Sequence, residues 1–570
     1  MKTMRIREAF ALDFEFHAPD GHRPRVICMV ARELGGSGRV IRLDGDELYR
    51  RREAPFNTGP DSLVVAYYAT AELGCFLELG WALPVNVVDL YVEFRNATNG
   101  RSRPHGCGLL GALAWYGLPP VDSFEKEAMR TLAMRGGPFT PTEMSALIDY
   151  CESDVDAVAA LWKAMEPQID NHSLLRGRYL KAAAHMERTG IPIDSPMLAK
   201  LNDRWSLLQD RFRKEADPAG EIWIDGHFSQ QAFSLWLQKF GIVWPRLDTG
   251  QLSLSNRTFS DMAKIHPVLQ PLHQIRQTLS CLKALGIVVG PDGRNRTLLS
   301  PFGSLSGRNQ PSTTRFAFGP ASWLRRLIRP EEGMALAYMD WCQQEFGISG
   351  CLSGDMAMQD AYLSSDPYLA FAMRAGAAPP NATKKSHEAI RDAFKTVVLG
   401  VGYGMSAFGL SAKLGVHLAE AEAMLEMHRR CYSTFWKWSQ GASDYAQLSG
   451  AIHTRFGWRL HLTPNTKDRT IRNFPAQGNG AEMMRLAAID AVEAGIRVCA
   501  PVHDAFLIES TIENIEHDVA RMRACMARAS ANVLGGFRLQ SDAEIIRFPS
   551  RFGEDKHSRL WNVAMEVVNQ

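Results

Sequence analysis

The chain begins with alternation. In "AFALDFEF", residues 9–16, apolar and acidic side chains trade places with a period of two from Leu12 to Phe16, the pattern of a strand with one buried face. "RVICMVARE" (25–33) and "GRVIRL" (38–43) read as two more strands, so a hairpin or meander is predicted at the start. "SLVVAYYATAELGCFLELGW" (62–81) reads as a strand passing into a helix. "VNVVDLYVEF" (85–94) is a further strand or strand–helix junction, and "SALIDYCESDVDAVAALWKAM" (145–165) is an amphipathic helix. Residues 1–165 therefore read as an α/β domain around a central sheet. From 166 to 300 the pattern turns helical. "SLLRGRYLKAAAHMERTG", "FSQQAFSLWLQKFG" and "HPVLQPLHQIRQTLSCLKALG" each close on glycine, the usual residue just past a helix end. From 301 to 570 strands and helices mix again, with seams near 165 and 300.

Composition adds bounds. A chain of 570 residues exceeds one core, and roughly two to four domains are expected. Hydrophobic content of 46% and charge of 22% are ordinary for a globular protein, and the net charge of +2 gives no whole-chain signal for a polyanion. A basic cleft remains compatible with that balance. The ten cysteines show no CxxC pair and no metal-ligand spacing, which suits reduced thiols in a cytoplasm. No signal peptide and no membrane span are predicted.

Candidate chemistry sits at carboxylates delivered by apolar runs. Asp13 and Glu15, two apart on a strand, share one face while Leu12, Phe14 and Phe16 share the other. Side by side, two carboxylates repel unless a cation lies between them. In "YCESD", Tyr150 and Asp154 are four apart and adjacent on one helical face. In "LAYMDWCQQEFGISG", the apolar run Leu336–Met339 delivers Asp340, and Glu345 follows five residues later. In "RVCAPVHDAFLIES", two apolar runs flank His503 and Asp504, which reads as a hairpin presenting Asp504 at its tip. In "RDAFKTVVLGVGYG", Arg391, Lys395, Leu399 and Tyr403 recur every four residues as a stripe along one helix, two cations at one end.

The first group resembles the 3′–5′ exonucleases of the DEDD type, tyrosine subclass: an acidic pair on the first strand, a middle acid on a helix, and YxxxD on a late helix. The resemblance implies two divalent ions held by Asp13, Glu15, Asp154 and a middle carboxylate, with Tyr150 orienting the attacking water at the 3′ end of single-stranded DNA. The middle motif departs from that pattern. Tyr68 stands at the usual Asn place and Glu72 at the usual Asp place, so Glu72 is expected as the ligand in preference to Asp89.

From "HMERTGIPID" (185–194) onward the chain resembles family A DNA polymerases, the relatives of DNA polymerase I. "YMDWCQQEFG" resembles the first palm motif, Asp-Tyr-Ser-Gln-Ile-Glu, with Trp341, Cys342 and Gln344 departing from it. "VHDA" resembles Val-His-Asp-Glu, with Ala505 in place of the Glu. The Arg391 stripe matches Arg-x3-Lys-x7-Tyr-Gly, and "RTIRNFPAQGNGAEMM" matches Arg-x3-Asn-x3-Gln.

The fold so implied is α/β and α+β multidomain. An RNase H-like 3′–5′ exonuclease domain (1–165) would precede a right-hand polymerase of thumb (166–300), palm and fingers (301–570, fingers about 365–460). Asp340 and Asp504 would be catalytic metal ligands, two Mg²⁺ per site with Mn²⁺ able to substitute. Arg391, Lys395, Leu399, Tyr403 and Glu345 would meet the dNTP, Glu345 as a gate against a 2′ hydroxyl. Arg308, Arg469, Asn473, Gln477 and His503 would contact primer–template DNA. The expected activity is template-directed DNA synthesis with proofreading, of a phage or accessory type, its processivity factor unidentified. The alternatives are a repair or bypass polymerase with a weak exonuclease, or a nuclease or non-catalytic nucleic-acid scaffold.

Overall fold

The computed structural model describes residues 6–120, 123–247, 249–281, 286–319, 322–364, 366–402, 404–554 and 558–570. Its first sheet has five strands: β1 (Glu8–His17), β2 (Arg25–Glu33), β3 (Val40–Asp44), β4 (Ser62–Ala66) and β5 (Asn86–Asp89). Their order is β3-β2-β1-β4-β5, with β1, β2 and β3 antiparallel and β4 and β5 parallel to β1. The meander that alternation predicts is present. Leu12 and Phe14 are buried as their spacing requires, whereas Phe16 is only partly covered, because the register slips between Glu15 and Phe16.

Helices flank this sheet: α1 (Ala69–Leu79), α2 (Leu90–Thr98) and α3 (Pro141–Met165). Helix α3 starts early because Thr140 and Glu143 form a capping box and Pro141 occupies the first turn. Arg32 on β2 bonds Glu152 (3.1 Å) and Asp156 (2.5 Å), and Arg42 on β3 bonds Glu152 (2.8 Å), fixing which face of α3 lies over the sheet.

Helix α4 (Ser173–Thr189) crosses β5 at touching distance. A Cβ at Gly177 would lie 1.9 Å from the Val87 carbonyl oxygen, so only glycine permits this crossing. Gly190 ends α4 with φ +65. The predicted helix at 266–286 divides into a tight turn, Pro267–Leu269, and a helix, Gln270–Cys281; residues 282–285 lie outside the described residues.

The second sheet has four antiparallel strands: β6 (Met334–Trp341), β7 (Arg497–Val502), β8 (Ala505–Thr511) and β9 (Ser541–Arg547), in the order β7-β8-β6-β9. Around it lie α5 (Gln344–Ser353), α6 (Glu388–Gly402), α7 (Asp468–Glu493) and α8 (Ile515–Val533). The largest apolar core runs unbroken from Ala66, Leu73 and Val87 through Tyr179 and Ala183 to Ala337 and Ile508. A smaller aromatic core, with Phe233, Trp244 and Phe259 at its centre, stands apart within residues 222–272. Among the described residues no helix is long and apolar enough to cross a membrane.

Candidate active sites

On the first sheet, carboxylate oxygens of Asp13, Glu15 and Asp154 converge to within 4.8 Å of one another. Strand alternation supplies the first two and α3 supplies the third. One turn earlier on α3, the Tyr150 hydroxyl donates to Asp154 Oδ2 at 2.8 Å. Burial, reinforced by the neighbouring Asp154, pushes the Tyr150 phenol well up, so it stays a donor. The Cys151 thiol packs beneath, donating to the Asp13 backbone oxygen (3.3 Å) and lying 3.5 Å from its Oδ2.

Glu72, on α1, is 5% exposed, and its Oε2 has no hydrogen-bond partner among the described residues. Burial pushes its carboxyl well up, with Asp13 and then Glu15 adding to the effect. Glu72 lies outside the group of three that converges within 4.8 Å. Its buried oxygen, in the field of Asp13 and Glu15, is costly as a carboxylate unless it holds a proton or a cation balances it. The donors are all hard oxygens, which suits Mg²⁺ or Mn²⁺.

Asp89 is engaged otherwise. Its Oδ1 accepts from Tyr68 N (2.8 Å) and Tyr91 N (2.9 Å), and its Oδ2 from Ala69 N (3.0 Å). It therefore staples the start of α1 to the start of α2. Tyr68, at the place the resembling motif usually gives to Asn, has φ +72, and its hydroxyl bonds Ser300 near Glu187, on the side toward α4.

On the second sheet, Asp340 lies near the end of β6. His503 and Asp504 form the two-residue turn between β7 and β8, with His503 at φ +55. The Trp341 N–H donates to the Asp504 carbonyl at 3.3 Å, bringing the turn alongside Asp340. Asp340 faces Ala505 on β8 and Asp542 on β9. Among the described residues, these carboxylates are not drawn into a cluster as tight as that of Asp13. Helix α5 begins directly afterward. Gly480 on α7 lets it come close, since a Cβ there would meet Gln344 Oε1 at 2.7 Å. Glu345, in the first turn of α5, pairs with Arg308 at 2.9 Å.

Two hollows lie near this end of the molecule, the first against the β7–β8 turn and the second along the start of α7. One, of about 360 Å³, is lined by Arg308, His503, Tyr179, Asn309, Gln310 and Arg325, among others. The other, of about 230 Å³, holds Arg469, Asn473 and Gln477 beside Leu305 and Ser306. The five residues expected to touch DNA thus divide into two neighbouring groups.

Arg391, Lys395 and Leu399 all lie on α6; Tyr403 lies outside the described residues. Arg391 is ion-paired with Asp366 and, at 3.2 Å, with Asp392. Both cations sit over the Tyr368 ring, Arg391 Cζ at 5.3 Å and Lys395 Nζ at 5.8 Å from its centroid. Asp366, Tyr368 and Asp542 escaped the sequence reading. Asp542 alone had a signal, its place in a short acidic–apolar alternation at the end of the chain.

Residues 303–544 match the family model "DNA polymerase family A". This region is similar to that family. Curated relatives include the thermostable DNA polymerase I of Thermus aquaticus, 27% identical over 371 residues that cover 60% of this chain and 43% of the relative. DNA polymerase I of Chloroflexus aurantiacus is 24% identical over 430 residues, covering 68% and 44%. The match to each thus spans less than half of the relative's length. Among solved structures, the POL domain of Pol1 from M. smegmatis, in complex with DNA primer-template and dNTP, superposes with a TM-score of 0.73. It is 20% identical, and the superposition covers 96% of each chain, so the likeness is one of fold and takes in both sheets.

Proposed function

We propose that this protein is a template-directed DNA polymerase that extends a primer 3′ end with dNTPs and carries a 3′–5′ exonuclease site on its first sheet. The family A match over 303–544, with Asp340 and Asp504 brought together at one end of the second sheet, is the observation that carries the synthetic activity. In this reading residues 1–165 are the exonuclease domain, 166–300 the thumb, and 301–570 the palm and fingers. The five-stranded order with β1 central agrees with the order expected of an RNase H-like domain, which supports the exonuclease assignment.

Family A polymerases use divalent metals, and the carboxylates of each centre suit Mg²⁺. Asp340 and Asp504 would hold it at one centre, and Asp13, Glu15, Glu72 and Asp154 at the other. When bound, such ions neutralise developing charge on attacking and leaving oxygens during phosphoryl transfer. The chain's own residues then position the reactants. Arg391 and Lys395 would face the triphosphate, Leu399 the base and sugar, and Glu345, steadied by Arg308, the 2′ side of the incoming sugar. Arg469, Asn473 and Gln477 would read the duplex through its minor groove, whose acceptors occupy similar places in every base pair. Tyr150, hydrogen-bonded to Asp154, would orient water at the excision site. Nine free cysteines among the described residues agree with a cytoplasmic setting.

The test is one gel. Labelled primer–template with Mg²⁺ should lengthen when dNTPs are present and shorten when they are absent. Failure to lengthen sinks the polymerase reading, and failure to shorten sinks the exonuclease reading alone.

A further inference from the structure

Arg391 should not be a free cation awaiting a triphosphate. Its Nε is ion-paired with Asp366, and the side chains of the two are only 13% and 15% exposed. Asp366 has a second task as well. Its Oδ1 accepts from Tyr368 N and Leu369 N, both at 3.1 Å, and so caps the helix Pro367–Arg374. Tyr368, held by that cap, is buried and lies beneath both Arg391 and Lys395. One carboxylate and one ring therefore hold the cationic end of α6 against the neighbouring helix.

We propose that Asp366 is a positioning residue for nucleotide binding: its carboxylate occupies the Arg391 guanidinium as a stand-in for the triphosphate and is displaced when dNTP binds. The inference rests on the reading of Arg391 as a triphosphate contact. The chemistry is an exchange of partners. A guanidinium presents a planar fork that suits a carboxylate or a phosphate, and its Nε–H cannot serve both fully at once. Each dNTP must then compete with Asp366, and the departing pyrophosphate is helped off as Asp366 returns. Weaker ground-state binding and faster product release follow from the same contact. Lys395 has no such acid beside it in the described contacts, only the Tyr368 face, so the competition is specific to Arg391.

The position allows a clean test, since Asn caps a helix as well as Asp does but carries no charge. Steady-state primer extension by the full chain, with Mg²⁺, yields kcat and KM for dNTP and an inhibition constant for pyrophosphate. Asp366→Asn should lower the dNTP KM and the pyrophosphate inhibition constant together by roughly fivefold to tenfold, the scale of one charge-assisted hydrogen bond with partial exposure. Its Kd for primer–template should not move. Asp366→Ser, which keeps a capping oxygen, should do the same and covers the case in which the Asn variant melts early. An unchanged or raised KM in a variant that melts like the parent overturns the proposal. Arg391→Ala separates the two layers. If it raises the KM while Asp366→Asn does not lower it, the exchange fails and the triphosphate contact stands; if it leaves the KM unaltered, both fall.

Discussion

Arg308 and Glu345 stand 2.9 Å apart, guanidinium to carboxylate, joining the loop at 303–312 to the first turn of α5. Tethered in this way, Glu345 has little freedom to move, and in the proposed gate role it would not swing clear of a bulkier sugar. Glu345→Ala should raise ribonucleotide incorporation roughly tenfold to a hundredfold, the range set by excluding one small group. Arg308→Ala keeps the carboxylate but frees it, so its effect should be smaller. Competition between rNTP and dNTP during primer extension measures both. Unchanged discrimination in both variants would place the gate elsewhere.

Asp340→Asn or Asp504→Asn should reduce extension by more than about a hundredfold, beyond the cost of losing an outer-shell partner. Excision of single-stranded DNA should persist, because the first sheet holds its own carboxylates. Asp542, opposite Asp340 on β9, should matter less, by roughly tenfold, and Ala505→Glu should offset Asp542→Asn. Near-normal extension by either of the first two variants removes the site from the second sheet.

Glu72→Gln should suppress mismatch excision as strongly as Asp13→Asn, by about a hundredfold or more, with matched extension intact. Asp89→Asn should lose far less excision, since its oxygens already serve three backbone N–H groups. Degradation of a labelled mismatched primer ranks the three. The reverse order would make Asp89 the ligand.

Asp89 also predicts a pH dependence. Burial pushes its carboxyl up to about 7 against an ordinary 3.8, so between those values the folded chain binds a proton that the unfolded chain has released. Its contribution is therefore fully present below the ordinary value and is lost as pH rises toward about 7. Asp89→Asn does not titrate. Its melting temperature relative to the parent should climb from pH 4 to pH 7, after a fixed penalty of about 1 kcal/mol for the disturbed acceptor. A difference that stays constant with pH would refute the assignment.

Leu399, an aliphatic residue partly covered on α6, has no hydroxyl to fill the space left by a missing 3′-OH. The parent should use dideoxynucleotides poorly, and Leu399→Tyr should improve their use by about tenfold or more. Chain-termination ladders decide it. Efficient termination by the unaltered protein would exclude this role for Leu399.

Period-two spacing places Asp13 and Glu15 on one face, and apolar runs that end at Asp340 and flank Asp504 present those two at the end of a sheet, because strand geometry leaves little freedom. Helical spacing likewise aligned Tyr150 with Asp154, and Arg391 with Lys395. The partners of these residues were not legible. Asp366 lies 25 positions from Arg391, and Asp542 lies 202 positions from Asp340, so each pairing depends on how separate elements pack. The choice between Glu72 and Asp89 was likewise open to the sequence only by motif. In the structure Asp89 accepts from three backbone N–H groups, whereas Glu72 is bonded to the Phe14 backbone and keeps Oε2 without a partner among the described residues.

The apolar core that joins Val87 and Leu73 to Tyr179 and Ala183 has a consequence for any shortened enzyme. Cutting the chain near 165 would strip α4 of the wall it leans on and leave Gly177 beside an empty groove where β5 had been. A version lacking the proposed exonuclease site is therefore better made by altering a carboxylate than by truncation. The same packing bears on descent: were the proposed excision site to fall out of use, Asp13 or Glu72 could drift while the sheet that carries them still supports α4.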